Sequence, residues 1–219
     1  MEEVTNWLLA NGVTREILLM LLYVPVIATL VNFSRYMVGM KTLGIYAPMI
    51  LSFAYIFTGI RFGILVTAAV VAATMLSYTL LVKYRMHYLS RVSINYIFMT
   101  FFVLGVIVLN ENSPVQFTSS RHDIAAVPSL GIILIATLSD FFIKQYIKKS
   151  AWATMRSLLE TVLIGFIGWT MIRSVWIQDF LLANFWFYVL LLGINILLGQ
   201  YTGMRLKDYA RFSSIMKNG

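Results

Sequence analysis

The sequence contains no cysteine, which excludes disulfide bonds and thiolate metal sites. Histidine is almost absent as well. His87 and His122 are the two present and fall on different predicted loops, so no zinc or haem site is expected. There is no Gly-x-Ser-x-Gly, His-Glu-x-x-His or phosphate-binding glycine motif. The sequence therefore predicts no catalytic residue, no metal site and no cofactor.

Charge is also scarce, since 12% of the residues are charged and 60% are hydrophobic. Ordinary soluble domains carry roughly 25% charged residues. Apolar stretches long enough to cross a bilayer core of about 30 Å recur along the chain, and they are too long and too uniformly apolar for β-barrel strands of about ten residues. We predict an all-α polytopic membrane helix bundle, with seven transmembrane helices at residues 16–34, 44–60, 62–82, 93–110, 124–143, 151–173 and 181–200.

The basic residues are distributed unevenly between the two sides of this predicted membrane domain. Of the 17 Lys and Arg residues, Arg15, Arg61, Arg121 and Arg173 fall on one side, which leaves 13 on the other. The positive-inside rule then places the N-terminus outside and the C-terminus in the cytoplasm of a bacterial inner-membrane, multi-pass protein. The net charge of +8 is explained by charges that face lipid headgroups. We therefore expect the lipid bilayer as a partner and no nucleic acid.

Proline and glycine mark two of the predicted helices. The second to fourth segments and the fifth to seventh run in opposite directions, and the two sets open with Gly44 and Pro48, and with Pro128 and Gly131. Paired Gly/Pro-containing segments of this kind are typical of inverted-repeat transporters. The pattern suggests a 3+3 inverted repeat after one N-terminal helix. The alternative is that proline is tolerated near the start of any helix.

Acidic residues inside the apolar segments are candidates for function. Glu160 would cost about 2.5–3.5 kcal/mol at the centre of a membrane helix, so we expect it to face the bundle interior. Arg156, one turn earlier, is its expected partner. A structural ion pair and a proton- or substrate-coupled carboxylate both remain open readings. Asp140 and Lys144 are expected to form a second pair of the same spacing.

The C-terminal stretch GQYTGMRLKDYARF (residues 199–212) ends the last predicted helix. Residues 1–202 form the expected seven-helix domain, and residues 203–219 form an expected cytoplasmic, basic, amphipathic tail. On a helix through this tail Arg205 falls on the apolar side, where a guanidinium needs an acceptor such as helix carbonyls, a carboxylate or a phosphate. We expect Arg205 either to lock helix ends together or to bind a partner or an anionic ligand.

The same stretch resembles the C-terminal signature of the bacterial seven-transmembrane domain usually found fused to an inactive transglutaminase-like domain. Two further stretches, SRYMVGMKTLGIYAPMILSFAY (residues 34–55) and LSRVS (residues 89–93), resemble other motifs of that family, and the likeness covers about residues 16–212. The candidate ligand- or partner-binding residues, which include Glu160 from its placement, are Arg35, Thr42, Gly44, Pro48, Arg91, Pro128, Glu160, Tyr201, Thr202, Gly203 and Arg205.

More distantly, the chain resembles the membrane C subunit of poly-γ-glutamate synthesis, whose relatives are associated with ATP-grasp ligases. That resemblance implies a non-catalytic membrane subunit of a bacterial peptide or poly-γ-glutamate-type ligation and export system. Such a subunit would anchor a cytoplasmic ATP-grasp-type ligase and assist passage of its anionic product. A separate transglutaminase-like or periplasmic partner and a homo-oligomer are open alternatives. The competing hypotheses are a stand-alone small-solute transporter or channel with a midplane site between Gly/Pro-broken helices, and a membrane enzyme.

Overall fold

The computed structural model describes residues 7, 10–84, 86–112 and 128–200, and the regular elements within these ranges are all helical. The helices are α1 (Arg15–Phe33), continued by a π-helical turn (Ser34–Val38), α2 (Tyr46–Thr58), α3 (Ile60–Leu81), α4 (Tyr88–Asn112), α5 (Pro128–Lys148), α6 (Ala151–Arg173), α7 (Val175–Ala183) and α8 (Trp186–Gln200). The predicted all-α polytopic bundle is confirmed, and each of the seven predicted segments contains a helix.

Two of the seven segments are not single membrane-length helices. Among the described residues, five helices are long and apolar enough to cross a bilayer, and the described parts of α7 and α8 pass the same criterion together, as a pair that is bent by 97°. The predicted segment at residues 181–200 therefore contains α8 together with the last residues of α7, and its start was placed five residues too early. In the second segment, α2 has 13 residues and a length of about 20 Å, which is short of the membrane core.

A local polar cap and an ion pair explain the break between α7 and α8. The amide of Asn184 donates to the Phe180 carbonyl and accepts from the Trp186 indole, each at 3.1 Å. These bonds end α7 and begin α8 without a proline or glycine at the junction. Arg15 pairs with Asp179 at 2.9 Å, so α7 lies at the end of the bundle where α1 begins.

Helix α2 is the centre of the larger core and packs mainly against α5 and α6. Glycines on those two helices allow the close approach. A Cβ at Gly165 would lie 2.9 Å from the Leu51 Cβ, and a Cβ at Gly131 would lie 3.0 Å from the Ala54 carbonyl oxygen. Small residues are what membrane helix interfaces need for backbones to approach closely. The sequence therefore fixes α2 between α5 and α6 through glycine contacts.

Hydrogen bonds between polar side chains join helices α1 and α8 within a second hydrophobic core. The Asn32 amide donates to the Asn195 carbonyl oxygen at 2.8 Å, and the Asn195 amide donates to the Thr29 hydroxyl at 2.7 Å. Interhelical hydrogen bonds between asparagine side chains are a common means of membrane helix association. Asn32 and Asn195 are therefore interhelical hydrogen-bond partners.

One expectation about pairing within a helix is not met, whereas the expected inverted repeat stays a prediction. The counterpart pairs α2–α6 and α5–α3 both pack closely, but α3 packs along α4 while α6 makes little contact with the described part of α8. Helix α2 is also much shorter than its counterpart α5. The expected Asp140–Lys144 ion pair is absent from the described residues, because the Lys144 amine lies over the Phe141 ring instead.

Most described cations lie at one end of the bundle, which we call the basic end. Helices α1, α3 and α5 finish there, and α4 and α6 begin there. The cations at this end are Arg35, Lys41, Lys83, Arg91, Lys144, Lys148, Lys149 and Arg156, whereas Arg15, Arg61 and Arg173 lie at the opposite end. The described cations thus divide eight to three, with the majority at the end that the sequence predicts.

Candidate functional site

The chain leaves helical geometry inside the bundle, between the π-helical turn and α2. We call residues 39–45 the connecting segment. Gly39 ends the turn in the left-handed conformation, with φ of 84°, and the Met40 amide donates to the Ser34 carbonyl at 3.0 Å. Glycine adopts this conformation without the steric penalty of a Cβ. The connecting segment then needs hydrogen-bond partners from elsewhere, because it has no helix of its own.

Helix α6 supplies two acceptors to the connecting segment. The backbone amide of Lys41 donates to the Glu160 carboxylate, and that of Leu43 donates to the Thr161 hydroxyl at 2.9 Å. Glu160 and Thr161 are consecutive, so a single turn of α6 holds alternate amides of the segment. The Thr161 hydroxyl itself donates to the Ser157 carbonyl at 2.7 Å, which fixes its lone pairs toward Leu43.

The Glu160 carboxylate also meets a cation. Its other oxygen lies 3.6 Å from the Arg156 Nε, one turn earlier on α6. The Glu160 side chain is 13% exposed and that of Arg156 is 68% exposed. The predicted Arg156–Glu160 pair is confirmed. Because Arg156 is mostly exposed, the pair contributes little to stability, and the carboxylate mainly serves to bind backbone.

Helix α5 contributes the partner for a carbonyl of the same segment. The Gln145 amide donates to the Thr42 carbonyl at 3.0 Å, and the Gln145 oxygen accepts from the Lys149 amine at 3.2 Å. The Thr42 hydroxyl donates to the Gly44 carbonyl at 2.8 Å. Polar groups of the segment are therefore bound by side chains of two helices that lie more than 100 residues further along the chain.

The depth of the connecting segment follows from helix lengths. Helices α2 and α3 form an antiparallel hairpin, in which the Tyr55 hydroxyl meets the Thr67 hydroxyl at 3.2 Å. With 13 and 22 residues, α2 begins about 13 Å short of the end of α3 at a rise of about 1.5 Å per residue. Glu160 lies nine residues, or about 14 Å, into α6. Both estimates place the segment inside the basic end of the bundle.

Irregular backbone at this depth is tolerated in membrane proteins where it is buried in protein or lines a cavity. Here Thr42 and Leu43 are buried, while the Lys41 side chain is exposed. The exposed Lys41 side chain therefore extends from a backbone whose amides are hydrogen-bonded to side chains of α6. This side chain adds a cation to the basic end, whereas the Glu160 carboxylate is bound by the Lys41 backbone amide and by Arg156.

Four of the predicted site residues come together in this arrangement. Thr42 and Gly44 lie in the connecting segment, Pro48 is in the first turn of α2, and Glu160 binds the segment from α6. Glycine suits position 44, where φ is 152°. The geometry therefore joins residues that are separated by over 110 positions in the sequence.

The other predicted site residues lie elsewhere. Arg35 is exposed on the π-helical turn, and Arg91 lies in the first turn of α4 and donates to the Tyr84 carbonyl at 3.5 Å. Pro128 is the first residue of α5, at the end opposite to the connecting segment. The last four, Tyr201, Thr202, Gly203 and Arg205, lie outside the described residues, as does the expected tail helix.

Sequence reasoning did not single out Gln145. Its only signal is a polar side chain near the end of an apolar helix, a pattern that is common at membrane interfaces. Thr161 was not among the candidate site residues, although it is wholly buried and its hydroxyl accepts from the Leu43 amide. Neither residue can be connected to residues 41–43 without the tertiary structure.

A family model described as seven transmembrane helices usually fused to an inactive transglutaminase matches residues 10–216. The match spans the connecting segment, Glu160 and all eight described helices. No curated protein and no solved structure matches the chain.

Proposed function

This chain belongs to the family of seven-transmembrane domains that are usually fused to an inactive transglutaminase, and we propose that it acts as a non-catalytic membrane subunit of a bacterial ligation and export system. The system joins amino acids into a peptide or a poly-γ-glutamate-type polymer. The subunit anchors a cytoplasmic ATP-grasp-type ligase at its basic end and assists passage of the anionic product. In this proposal the protein lies in the inner membrane, with its N-terminus outside and its C-terminus in the cytoplasm.

The observation that carries the proposal is the concentration of described cations at the basic end, eight against three at the opposite end. Complementary charge steers association of protein partners and attracts anionic products. Lys144, Lys148 and Lys149 lie at the C-terminal end of α5, beside the connecting segment. The Lys149 amine donates a hydrogen bond to the Gln145 side chain. A soluble partner with an acidic surface, or a polyanion, fits this end of the bundle.

Recovery of partners from membranes tests the anchoring role. Full-length protein is solubilised in mild detergent and captured, and co-purifying proteins are identified and quantified by mass spectrometry. The variant Lys148→Glu/Lys149→Glu should recover several-fold less ATP-grasp-type ligase than the wild type. The matched control Arg61→Glu reverses a charge at the opposite end and should recover the wild-type amount. Equal recovery by all three proteins, or no ligase with any of them, would contradict the proposal. The same experiment reports a transglutaminase-like partner or a second copy of the chain.

A stand-alone transporter is the second candidate, and a specific observation favours it. Transporter sites are typically lined by irregular backbone inside the membrane domain, and the connecting segment is irregular backbone beside the Glu160 carboxylate. Uptake of amino acids or small peptides into proteoliposomes that contain only this protein tests the alternative. Uptake that Glu160→Gln abolishes would favour transport by the chain alone, whereas inactive proteoliposomes would speak against it.

A further inference from the structure

Helix α7 differs from the membrane-length helices in its direction. Helix α8 runs beside α1, since Asn195 of α8 is hydrogen-bonded to Thr29 and Asn32 and the two helices remain in contact as far as the π-helical turn. Helix α8 therefore follows the axis of the bundle. The angle between α7 and α8 is 97°, so the nine residues of α7 lie almost at right angles to that axis. This is the direction of a helix that lies along a membrane surface.

The length of α6 gives the depth of α7. Helix α6 begins at the basic end and has 23 residues, so it is about 34 Å long, slightly more than a bilayer core of about 30 Å. Helix α7 begins at Val175, two residues after α6 ends. On its other side, Asp179 pairs with Arg15, the first residue of α1. Both connections place α7 just beyond the hydrocarbon core, at the level of the lipid headgroups.

Three exposed tryptophans support this placement of the bilayer. Trp152 is the second residue of α6 and is 81% exposed, whereas Trp176 on α7 and Trp186 at the start of α8 are 77% and 48% exposed. Trp152 precedes Arg173, the end of α6, by 21 residues, a rise of about 32 Å. Tryptophan is enriched at both membrane–water interfaces. The exposed indoles at the two ends of α6 therefore lie at the spacing of the two faces of a bilayer core.

Helix α7 has one packed face and one open face. Leu181 is wholly buried, and Phe180 packs beside it in the second hydrophobic core. Val175 and Trp176 are exposed on the opposite face. At about 100° per residue, Asp179 lies between these two side chains on the same face, where its carboxylate pairs with Arg15. The open face therefore combines apolar side chains with an ion pair, as a helix in the headgroup layer requires.

A connected group of aromatic rings, which we call the aromatic corner, joins α7 to α8. It consists of Trp176, Phe180, Trp186, Phe187 and Tyr188. Trp176 stacks on Phe180 with ring centroids 6.0 Å apart, and Phe180 meets Phe187 edge-on at 5.3 Å. Trp186 and Tyr188 also contact the Phe187 ring. The phenylalanines pack against the second hydrophobic core, so the corner holds the exposed Trp176 indole at a fixed level relative to the bundle.

The charges around α7 favour a lipid surface over an apolar protein partner. Arg173 lies at the end of α6, directly before α7, and its side chain is exposed with the guanidinium 5.4 Å from the centre of the Trp169 ring. It makes no ion pair with the described part of the chain. Guanidinium groups bind phosphate oxygens well. An exposed arginine and exposed indoles at one level match the phosphate layer and the acyl-chain boundary below it.

We propose that α7 is an interfacial helix, whose open face binds the phospholipid headgroup layer at the end of the bundle opposite the basic end. Trp176 and Val175 contact lipid at the boundary between headgroups and acyl chains. Helix α7 then takes no part in the membrane crossing that α8 begins, and it anchors the bundle at a fixed height in the bilayer. The inference involves neither the connecting segment nor the proposed ligase partner.

Spin labelling of the full-length protein in liposomes of phosphatidylethanolamine and phosphatidylglycerol tests the proposal. The chain has no cysteine, so Trp176→Cys and Ala183→Cys each introduce one labelling site, two turns apart on α7. Collision rates with oxygen and with a water-soluble nickel complex report the depth of each label. Both labels should lie at about the same depth, near the phosphates. The matched pair Val189→Cys and Leu197→Cys on α8 should differ by about 12 Å.

Three results would overturn the proposal. Labels on α7 that differ in depth by about 10 Å would make α7 part of a membrane crossing. A label at Trp176 that collides with nickel as freely as a label in water would place α7 above the bilayer. A label that neither oxygen nor nickel reaches would show that a protein, or a second copy of the chain, covers the open face.

Fluorescence quenching provides a second measurement, in case the cysteine variants fail to fold. Trp176→Phe keeps an aromatic ring against Phe180, and the difference in emission between the wild type and this variant is the signal of Trp176. Lipids brominated close to the ester carbonyl should quench this signal several-fold more strongly than lipids brominated near the end of the acyl chain. Equal quenching by both lipids, or quenching by neither, would contradict the interfacial position of α7.

Discussion

Replacing Thr161 by valine should destabilise the protein through the connecting segment. The substitution keeps the shape of the side chain but removes the acceptor of the Leu43 amide, a bond of 2.9 Å between residues that are 0% and 4% exposed. Leaving a buried amide unsatisfied costs about 1–3 kcal/mol. For a chain of this size, a loss of that order corresponds to about 2–12 °C in Tm.

Thr74→Val is the matched control for this substitution. Thr74 is also wholly buried, but its hydroxyl donates only to the Val70 carbonyl of its own helix, at 2.7 Å. That carbonyl keeps its helical partner when the hydroxyl is lost, so Thr74→Val should change the free energy of unfolding by less than about 0.5 kcal/mol. Equilibrium unfolding by SDS in mixed micelles, followed by tryptophan fluorescence, measures both variants. Thr161→Val and Thr74→Val with equal free energies of unfolding would refute the role assigned to Thr161.

Three further predictions concern helix packing and orientation. Gly168→Leu should destabilise the protein by about 1–3 kcal/mol in the same SDS assay, because even a Cβ at this position would clash with Ser52 on α2. The control Gly193→Leu should leave the free energy of unfolding unchanged, since no atom lies within 4 Å of a Cβ at that position. Asn195→Leu should weaken the α1–α8 contact by about 0.6 kcal/mol per lost hydrogen bond, measured by faster proteolysis of α8 in detergent. Because the chain has no cysteine, the variants Lys148→Cys and Arg61→Cys each carry a single thiol. In intact cells, an impermeant maleimide should label the Arg61→Cys variant and leave the Lys148→Cys variant unlabelled. The reverse pattern would contradict the proposed orientation.

Hydropathy and charge were sufficient to predict the helical segments and the sharing of cations between the two ends, because both are local properties of the sequence. The connecting segment was not predictable. The apolar run from residue 44 has the pattern of an ordinary helix. The backbone before Tyr46 is nevertheless non-helical, because its polar groups are hydrogen-bonded to Glu160, Thr161 and Gln145. Those partners follow more than 100 residues later, so no local pattern reveals them.

The break between α7 and α8 was missed for a related reason. Residues 181–200 are mostly apolar and contain no proline, so hydropathy predicts one continuous span. The bend depends on the Asn184 side chain, which bonds to Phe180 and Trp186, and on the pairing of Asp179 with Arg15. A single asparagine in an apolar run does not identify a cap, because the same residue type can also bridge two helices, as Asn195 does.

The shortness of α2 constrains how the protein is made. A helix of 13 residues is too short to be inserted into a bilayer as an independent span, so α2 enters the membrane as a hairpin with α3 during synthesis. The amides of the connecting segment reach their acceptors only after α6 has been translated, more than 100 residues later. Until then the nascent chain carries exposed peptide groups at the membrane, where a chaperone or an insertase can bind them. The connecting segment can therefore adopt its final structure only once α6 is present, while α7 and α8 still follow.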